Sequence, residues 1–188
     1  MGYYKKLLGE NVYLSPLSVK DTEKFAKWMN DFSVTDYTGR SAHVQTLEAE
    51  KQWIADQTSK NQYLLAIVRL DNNETIGNIS LNDVDLINRC ATLGIMIGEH
   101  EERSKGYGTE AINLLLDFGF NYLNLNSVML TVFDCNKRAI RCYEKVGFKH
   151  AGLLRNARFV NGKYHDLVFM DILAEEFKGE FIKNKEIK

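Results

Sequence analysis

The stretch EERSKGYGTEAINLLLDFGF, from Glu101 to Phe120, joins a charged segment with two closely spaced glycines to a long apolar run. Polar residues recur in it every three or four positions, which predicts an amphipathic helix over residues 108–123 that lies on a sheet. The start of a helix exposes unpaired N–H groups and carries the positive end of the peptide dipole. Glycines that let an anion approach those groups make this segment a candidate phosphate-binding loop.

The rest of the chain alternates short apolar strands with amphipathic helices. The predicted order is a strand, two helices, three strands, the helix above, a strand, a helix and two strands. The last two strands form a hairpin around Asn161-Gly162, a dipeptide typical of tight two-residue turns. We therefore expect an α/β (α+β) fold with a mixed, mostly antiparallel central sheet flanked by helices. A single domain over residues 1–188 is expected, with a core from about 10 to 175 and a C-terminal tail over 176–188.

Composition and charge restrict the kind of partner. The formal net charge is −1 with acids and bases interspersed, so no broad basic surface for nucleic acid or anionic lipid is expected. No apolar run approaches the length of a membrane span, and the N-terminus lacks the apolar core of a signal peptide, which favours a cytoplasmic protein. Cys90, Cys135 and Cys142 lack metal-ligand spacing, so we expect reduced thiols and no metal.

Two interpretations compete for the glycines. Gly106, Gly108 and Ala111 match the dinucleotide pattern G-x-G-x-x-A, and Asp134 ends the following strand as a ribose ligand would. This pattern would indicate a nicotinamide-dependent oxidoreductase. However, a dinucleotide fingerprint places its first glycine directly after a strand, whereas here residues 98–105 intervene. An antiparallel hairpin feeding that strand also fits a doubly wound parallel sheet poorly.

The second interpretation includes Arg103 and rests on two motifs. The segment R-S-K-G-Y-G from Arg103 to Gly108 resembles the Q/R-x-x-G-x-G/A loop of the GNAT superfamily of acyl-coenzyme A N-acyltransferases. Asn136 to Phe148, NKRAIRCYEKVGF, is similar to that family's N-x-x-A-x-x-x-Y-x-x-x-G-F segment. The closing pattern of Arg155, Gly162 and Asp166 resembles the branch that contains ribosomal-protein and spermidine N-acetyltransferases. This resemblance implies a GNAT-like fold and transfer of acetyl from acetyl-CoA to an amine.

The resemblance also implies a set of cofactor contacts. Backbone amides from Ser104 to Thr109 would hold the pyrophosphate, and Arg103 would add charged donors. Gly94 marks either a bulge or a position fixed by packing, and the family's splayed strand would leave residues 95–97 unpaired for the pantetheine amides. A backbone N–H there would stabilise the tetrahedral oxyanion. The predicted acetyl-CoA contacts are Ile95, Met96, Ile97, Arg103, Ser104, Lys105, Gly106, Tyr107, Gly108, Thr109, Asn136 and Lys145.

Tyr143 has two interpretations. It lies two helical turns after Asn136 and on an apolar stripe, so the pattern alone predicts a core tyrosine. The family resemblance implies instead that its phenol protonates the leaving thiolate as general acid. We expect direct attack on the thioester, because no cysteine occupies a motif position that suggests an acyl-enzyme.

The general base is not identified by the sequence. Relatives often carry a glutamate at two strand positions that Thr92 and Thr131 occupy here, and neither threonine can serve as that base. An amine with a pKa near 10 must still lose a proton before attack, to another group or to a water chain. The candidates by location are Asp83, Asp85, Glu99 and His165.

The acceptor is restricted only to a class. The loop from Asp31 to Gln45 and the terminal hairpin are expected to wall its pocket, as in relatives. Four aspartates favour a cationic primary amine, either a small molecule such as a polyamine or a protein N-terminus. The sequence leaves a homodimer open. It also leaves open a non-catalytic acyl-CoA-binding module, because the usual glutamate is missing. The aspartates concerned are Asp31, Asp36, Asp83 and Asp85.

Overall fold

A single mixed sheet forms the centre of the molecule. The computed structural model describes residues 3–60, 63–179 and 181–182, so part of the predicted tail and the first two residues of the predicted domain lie outside it. The strands are β1 (Leu7–Leu8), β2 (Val12–Pro16), β3 (Leu64–Arg69), β4 (Thr75–Asp85), β5 (Cys90–Ile97), β6 (Ser127–Phe133), β7 (Lys149–Val160) and β8 (Lys163–Leu173). They lie side by side in the order β1-β2-β3-β4-β5-β6-β8-β7. Only the β5–β6 pair is parallel among these described strands, so the mixed, mostly antiparallel sheet is confirmed.

Helices cover both faces of this sheet. They are α1 (Thr22–Met29), α2 (Phe32–Thr35), α3 (Leu47–Lys60), α4 (Tyr107–Asn121) and α5 (Lys137–Val146). Neighbouring residues of β3 point to opposite faces, as the pleat of a strand requires. Leu65 and Ile67 pack in the cluster that contains α4 and α5. Ala66 and Val68 pack in the cluster that contains α1 and α3.

The predicted element order holds, with two additions. The short strand β1 pairs with β2, and the short helix α2 lies in the segment predicted as a loop after Asp31. Asp31 caps α2 by accepting a hydrogen bond from the Ser33 N–H at 2.8 Å. The turn at Asn161 and Gly162 has φ angles of 48° and 75°, so the predicted hairpin forms with both residues in the left-handed region.

A cleft opens where β5 and β6 separate. Their parallel pairing covers only Cys90–Thr92 against Ser127–Met129, so residues 93–97 have no strand partner on this side. Gly94 stays in regular pairing with Ser80 of β4. A Cβ on Gly94 would lie 3.1 Å from the Ser80 hydroxyl, so the glycine marks a close approach. The irregularity of the β4–β5 pair lies between Asn82 and Asp85 instead.

The first turn of α4 is hydrogen-bonded to the turn between β1 and β2, at the edge of the sheet. The carboxylate of Glu110 accepts hydrogen bonds from the backbone N–H of Asn11 at 2.8 Å and of Val12 at 3.2 Å. It also accepts one from the Asn11 side-chain amide at 2.9 Å. These bonds fix the start of α4 relative to the β1–β2 turn, and so they fix the loop that precedes the helix. None of the helices in the described part of the chain is long and apolar enough to cross a membrane.

Candidate active site

A cavity of about 770 Å³ occupies the cleft between β5 and β6. It extends from the loop before α4, past α5, to the faces of α1 and α3. Tyr143, the predicted acid, lines it, and so do ten of the twelve predicted cofactor contacts. These ten are Ile95, Met96, Ile97, Arg103, Ser104, Gly106, Gly108, Thr109, Asn136 and Lys145.

The loop before α4 presents a run of unpartnered amides. No acceptor in the described ranges of the chain meets the backbone N–H of any residue from Ser104 to Thr109. The first hydrogen bond of α4 is donated by Glu110 to the carbonyl of Gly106, at 3.0 Å. Buried or clustered N–H groups without an acceptor are uncommon in folded proteins, and a helix start of this kind binds anions. The geometry therefore suits a phosphate group at this loop.

The two glycines of the loop, Gly106 and Gly108, differ in backbone conformation and surroundings. Gly106 has a φ of 92°, in the left-handed region that side chains disfavour, and a Cβ there would meet no atom within 4 Å. Gly108 has ordinary surroundings, because its nearest atoms would be 3.9 Å away on Ile95 and Ile97. The backbone conformation therefore requires glycine only at position 106. At position 108, the missing side chain leaves space in front of the amides.

Arg103 clamps the loop rather than extending freely from it. Its guanidinium donates to the carbonyls of Ile97 at 3.1 Å, Ser33 at 3.1 Å and Gly98 at 3.4 Å. Burial is the main cause that lowers the pKa of this guanidinium, and the nearby charge of Arg138 lowers it further. Arg103 therefore joins the α4 loop to β5 and α2, in addition to facing the cavity.

Lys105 and Tyr107, two of the predicted contacts, do not line the cavity. The Lys105 ammonium lies 3.2 Å from a carboxylate oxygen of Glu102, which also pairs with Arg69 at 2.9 Å. The guanidinium of Arg69 lies over the Tyr107 ring, 5.7 Å from its centroid. The side chains of Lys105 and Tyr107 are engaged by Glu102 and Arg69, which leaves only their backbone amides for a ligand.

Asn136 begins α5 beside the cavity. Its side-chain oxygen accepts a hydrogen bond from the Ala139 N–H at 3.2 Å, so Asn136 caps the start of the helix. The helix ends at Gly147, which has a φ of 116° and forms a left-handed cap. Arg138, Arg141 and Lys145 line the cavity from α5 and make its cofactor end basic.

Tyr143 is buried and yet faces the cavity. The residue is 8% exposed, and its ring packs edge-on against Phe148 with centroids 6.0 Å apart. Its hydroxyl has no hydrogen-bond partner among the described residues, although tyrosine hydroxyls that are buried usually find one. Burial, with a smaller contribution from Cys142, raises the pKa of Tyr143 well above its ordinary value. The core interpretation of this tyrosine is therefore confirmed, and its role as general acid stays a prediction for a residue that also lines the cavity.

Cys142 lies next to Tyr143 in the wall of the cavity. Its Sγ atom is 3.2 Å from the Thr109 hydroxyl, a contact that joins α5 to the first turn of α4. Burial is the main cause that raises the pKa of the Cys142 thiol. The thiol is thus protonated at neutral pH and poorly nucleophilic.

None of the four candidate bases lines the cavity. The Asp85 carboxylate accepts hydrogen bonds within its own turn, from the N–H groups of Ile87 and Asn88 at 2.8 Å. Glu99 accepts from the Trp28 indole at 3.1 Å. Asp83 sits in the irregular part of β4, with a φ of 50°. The prediction that one of these side chains reaches the reacting amine is therefore not supported.

His165, the fourth candidate, lies near Asp134 outside the cavity. Its Nδ1 atom is 3.3 Å from the Asp134 carboxylate, and Cys135 is also close. Asp134 does not line the cavity that the glycine-containing loop borders. It therefore cannot act as the ribose ligand that the dinucleotide interpretation requires. Of the two threonines at the usual glutamate positions, Thr131 lines the cavity and Thr92 does not.

The loop after Asp31 walls the cavity as expected, but not through its aspartates. Tyr37, Thr38 and Arg40 supply the lining. Asp31 caps α2, and Asp36 accepts a hydrogen bond from the Ser41 hydroxyl at 2.7 Å. These two carboxylates serve the local loop structure and do not line the cavity.

Glu50 is a lining residue that sequence analysis did not single out. It lies on α3 and is only 2% exposed. Burial raises the pKa of its carboxyl, while a hydrogen bond with Gln45 and the charge of Arg40 act in the opposite direction. The signal was present in the sequence, because Trp53 and Ile54 follow Glu50 at helical spacings of three and four and place it on the apolar face.

Comparison with known proteins identifies similar chains. The family model described as "Acetyltransferase (GNAT) domain" matches residues 11–149. The spermidine N(1)-acetyltransferase of Escherichia coli (strain K12) is 31% identical over 173 residues, which cover 90% of this chain and 90% of the relative. The crystal structure of spermidine N-acetyltransferase from Vibrio cholerae in complex with CoA and spermine has a TM-score of 0.80 and 26% identity. That likeness covers 88% of this chain and 97% of the other.

Proposed function

The chain belongs to the GNAT acetyltransferase family and is an acetyl-CoA-dependent enzyme, and from this premise we propose that it acetylates a primary amine by direct transfer, with Tyr143 as general acid. One observation carries the proposal. The unpartnered hydroxyl of Tyr143 lines the same cavity as the unpartnered amides of residues 104–109. An anion site and a proton donor thus face one space, which a thioester of a diphosphate-bearing coenzyme would fill.

Cofactor binding is assigned to the two helix starts and to β5. The amides from Ser104 to Thr109 would donate to the diphosphate, and the basic residues of α5 would add to the positive potential. The free edge of β5 at residues 95–97 offers backbone groups to the amides of the pantetheine arm, since β6 does not pair with it. Arg103 would act chiefly by holding the loop in shape through its three carbonyl contacts.

Acetyl transfer would proceed by attack of the amine, loss of the thiolate and two proton transfers. The neutral amine attacks the thioester carbonyl and forms the new C–N bond, and a backbone N–H of β5 stabilises the tetrahedral oxyanion. The C–S bond breaks, and the phenol of Tyr143 gives its proton to the leaving thiolate. The nitrogen loses its extra proton to water, and the phenolate recovers a proton from solvent. The products are the N-acetyl amine and the free thiol of the coenzyme.

The acceptor is a primary amine, either a small-molecule amine such as a polyamine or a protein N-terminus. The named activity of the Escherichia coli relative and the spermine in the Vibrio cholerae structure support the amine class. Residues of α2, α3 and β4 line the same cavity as Tyr143, and we assign the acceptor to this part of it.

Thiol release with a panel of amines tests this function. The panel contains a polyamine, a diamine, a monoamine and a peptide with a free N-terminus, and each is mixed with acetyl-CoA and the purified chain. We expect release that depends on both amine and enzyme, with stoichiometric N-acetyl product by mass spectrometry. Tight acetyl-CoA binding without release by any amine would establish the non-catalytic binding module instead.

A further inference from the structure

We propose that Glu50 binds a second, non-reacting ammonium group of the acceptor, so that the preferred substrates are alkyl diamines and polyamines. This inference rests on the proposed acetyl transfer and narrows its substrate class. It places the cationic end of the acceptor at α3, on the side of the cavity away from the α4 loop.

Elimination among the carboxylates leads to Glu50. Two carboxylates of the described residues line the cavity, Glu50 and Glu102. Both oxygens of Glu102 are engaged by cations, with the Arg69 guanidinium at 2.9 Å and the Lys105 ammonium at 3.2 Å. Glu50 forms no ion pair with any described residue. It is therefore the lining carboxylate that remains available to a cationic ligand.

The surroundings of Glu50 leave its charge poorly compensated. The residue is 2% exposed and packs with Ile54, which is fully buried, on the apolar face of α3. An ionised carboxylate in such a place requires a cation or several hydrogen-bond donors. Gln45 supplies one hydrogen bond, and Arg40 favours the ionised form without pairing with it. An ammonium group that enters the cavity would supply the missing partner.

The cavity walls near Glu50 suit an alkyl chain. Phe25, Trp53 and Leu64 line the cavity from α1, α3 and β3, and they present apolar or aromatic surface. An aromatic ring next to a carboxylate is a favourable environment for an ammonium, since the ring face also attracts cations. In a substrate with two ammonium groups joined by methylenes, one ammonium would pair with Glu50 and the methylenes would contact these apolar side chains.

The test compares two amines that differ in one charge. Pentane-1,5-diamine and n-pentylamine have the same chain length, and only the diamine carries a second ammonium. In the wild type we expect a higher kcat/KM for the diamine. In Glu50→Gln, the ratio of the two kcat/KM values should fall about tenfold to hundredfold, as expected when one charged hydrogen bond is lost. Glu48→Gln is the matched control, because Glu48 lies on the same helix but is exposed, and it should keep the wild-type ratio.

Other outcomes overturn the inference. An equal loss for both amines in Glu50→Gln, together with a lower Tm, would show that Glu50 serves the fold. An unchanged ratio would show that the second ammonium binds elsewhere. A wild type that acetylates a peptide N-terminus and discriminates against the diamine would also contradict it.

A binding experiment keeps this test separate from the proposed activity. If the wild type releases no thiol with any amine, acetyl transfer fails, but the diamine should still raise the Tm of the wild type by mass action. The same concentration should raise the Tm of Glu50→Gln clearly less, and that of Glu48→Gln as much as the wild type. Equal shifts in all three proteins would overturn the assignment of Glu50.

Discussion

Replacing Tyr143 by phenylalanine removes one oxygen atom from the cavity wall and should leave the fold intact. A buried tyrosine hydroxyl that is hydrogen-bonded contributes about 0.5–1.5 kcal/mol to stability. Here no described residue bonds the hydroxyl, and the packing against Phe148 depends on the ring that the variant keeps. We therefore expect the free energy of unfolding to change by less than about 0.5 kcal/mol, a Tm shift within about 2 °C.

The effect on catalysis should be much larger than the effect on stability. Loss of a general acid lowers the rate by about 10² to 10⁴, which corresponds to about 3–5 kcal/mol of transition-state stabilisation. Coenzyme affinity should stay within about twofold, because the variant leaves unchanged the amides and basic residues to which we assign the diphosphate. The predicted signature is thus a fall in kcat with a normal Kd for CoA.

The assay measures thiol release at saturating acetyl-CoA, CoA binding by calorimetry and Tm by circular dichroism. Tyr164→Phe is the control, since Tyr164 is 65% exposed and lies outside the cavity. A Tyr143→Phe enzyme that retains its rate within about threefold, or one that loses rate only because it no longer binds CoA, would refute the role of the phenol as acid.

Three further results are expected. Gly106→Ala should lower stability by about 1–2 kcal/mol and weaken CoA binding about tenfold or more, because φ at this position is 92°; unchanged calorimetry and Tm would contradict this. CoA should slow alkylation of Cys142, which lines the cavity, and leave that of the exposed Cys135 unaffected, as peptide mapping after maleimide treatment would show. Because the pKa of Tyr143 is raised above its ordinary value of 10.0, the phenol stays protonated at every pH below 10.0. We therefore expect kcat/KM to rise with pH as the acceptor ammonium deprotonates. A falling limb below pH ~9 that disappears in Tyr143→Phe would be inconsistent with that shift.

Local sequence signals predicted the elements that carry the cofactor site. The periodicity of residues 108–123 gives α4 almost as observed, since helix amphipathicity depends on spacing alone. The cap at Asn136 and the left-handed glycine at 147 fix both ends of α5, and each is a single-residue effect. These features depend on neighbours in the chain, which is why one sequence suffices to predict them.

Contacts between segments that are far apart in the sequence were harder to predict from the sequence. The side chains of Lys105 and Tyr107 are engaged by Glu102 and Arg69, and Arg69 comes from β3, far away in the sequence. Asp31 and Asp36 are used by their own loop, which the charge pattern cannot distinguish from a substrate contact. Glu50 lines the cavity only because of how α3 packs against α1, so its position depends on the tertiary arrangement.

The most direct test is a crystal structure of the protein with CoA. We expect diphosphate oxygens within about 2.7–3.2 Å of amide nitrogens between residues 104 and 109, and the thiol sulfur beside the Tyr143 hydroxyl. A diphosphate bound elsewhere, with those amides still unpartnered and the phenol remote from the sulfur, would contradict it.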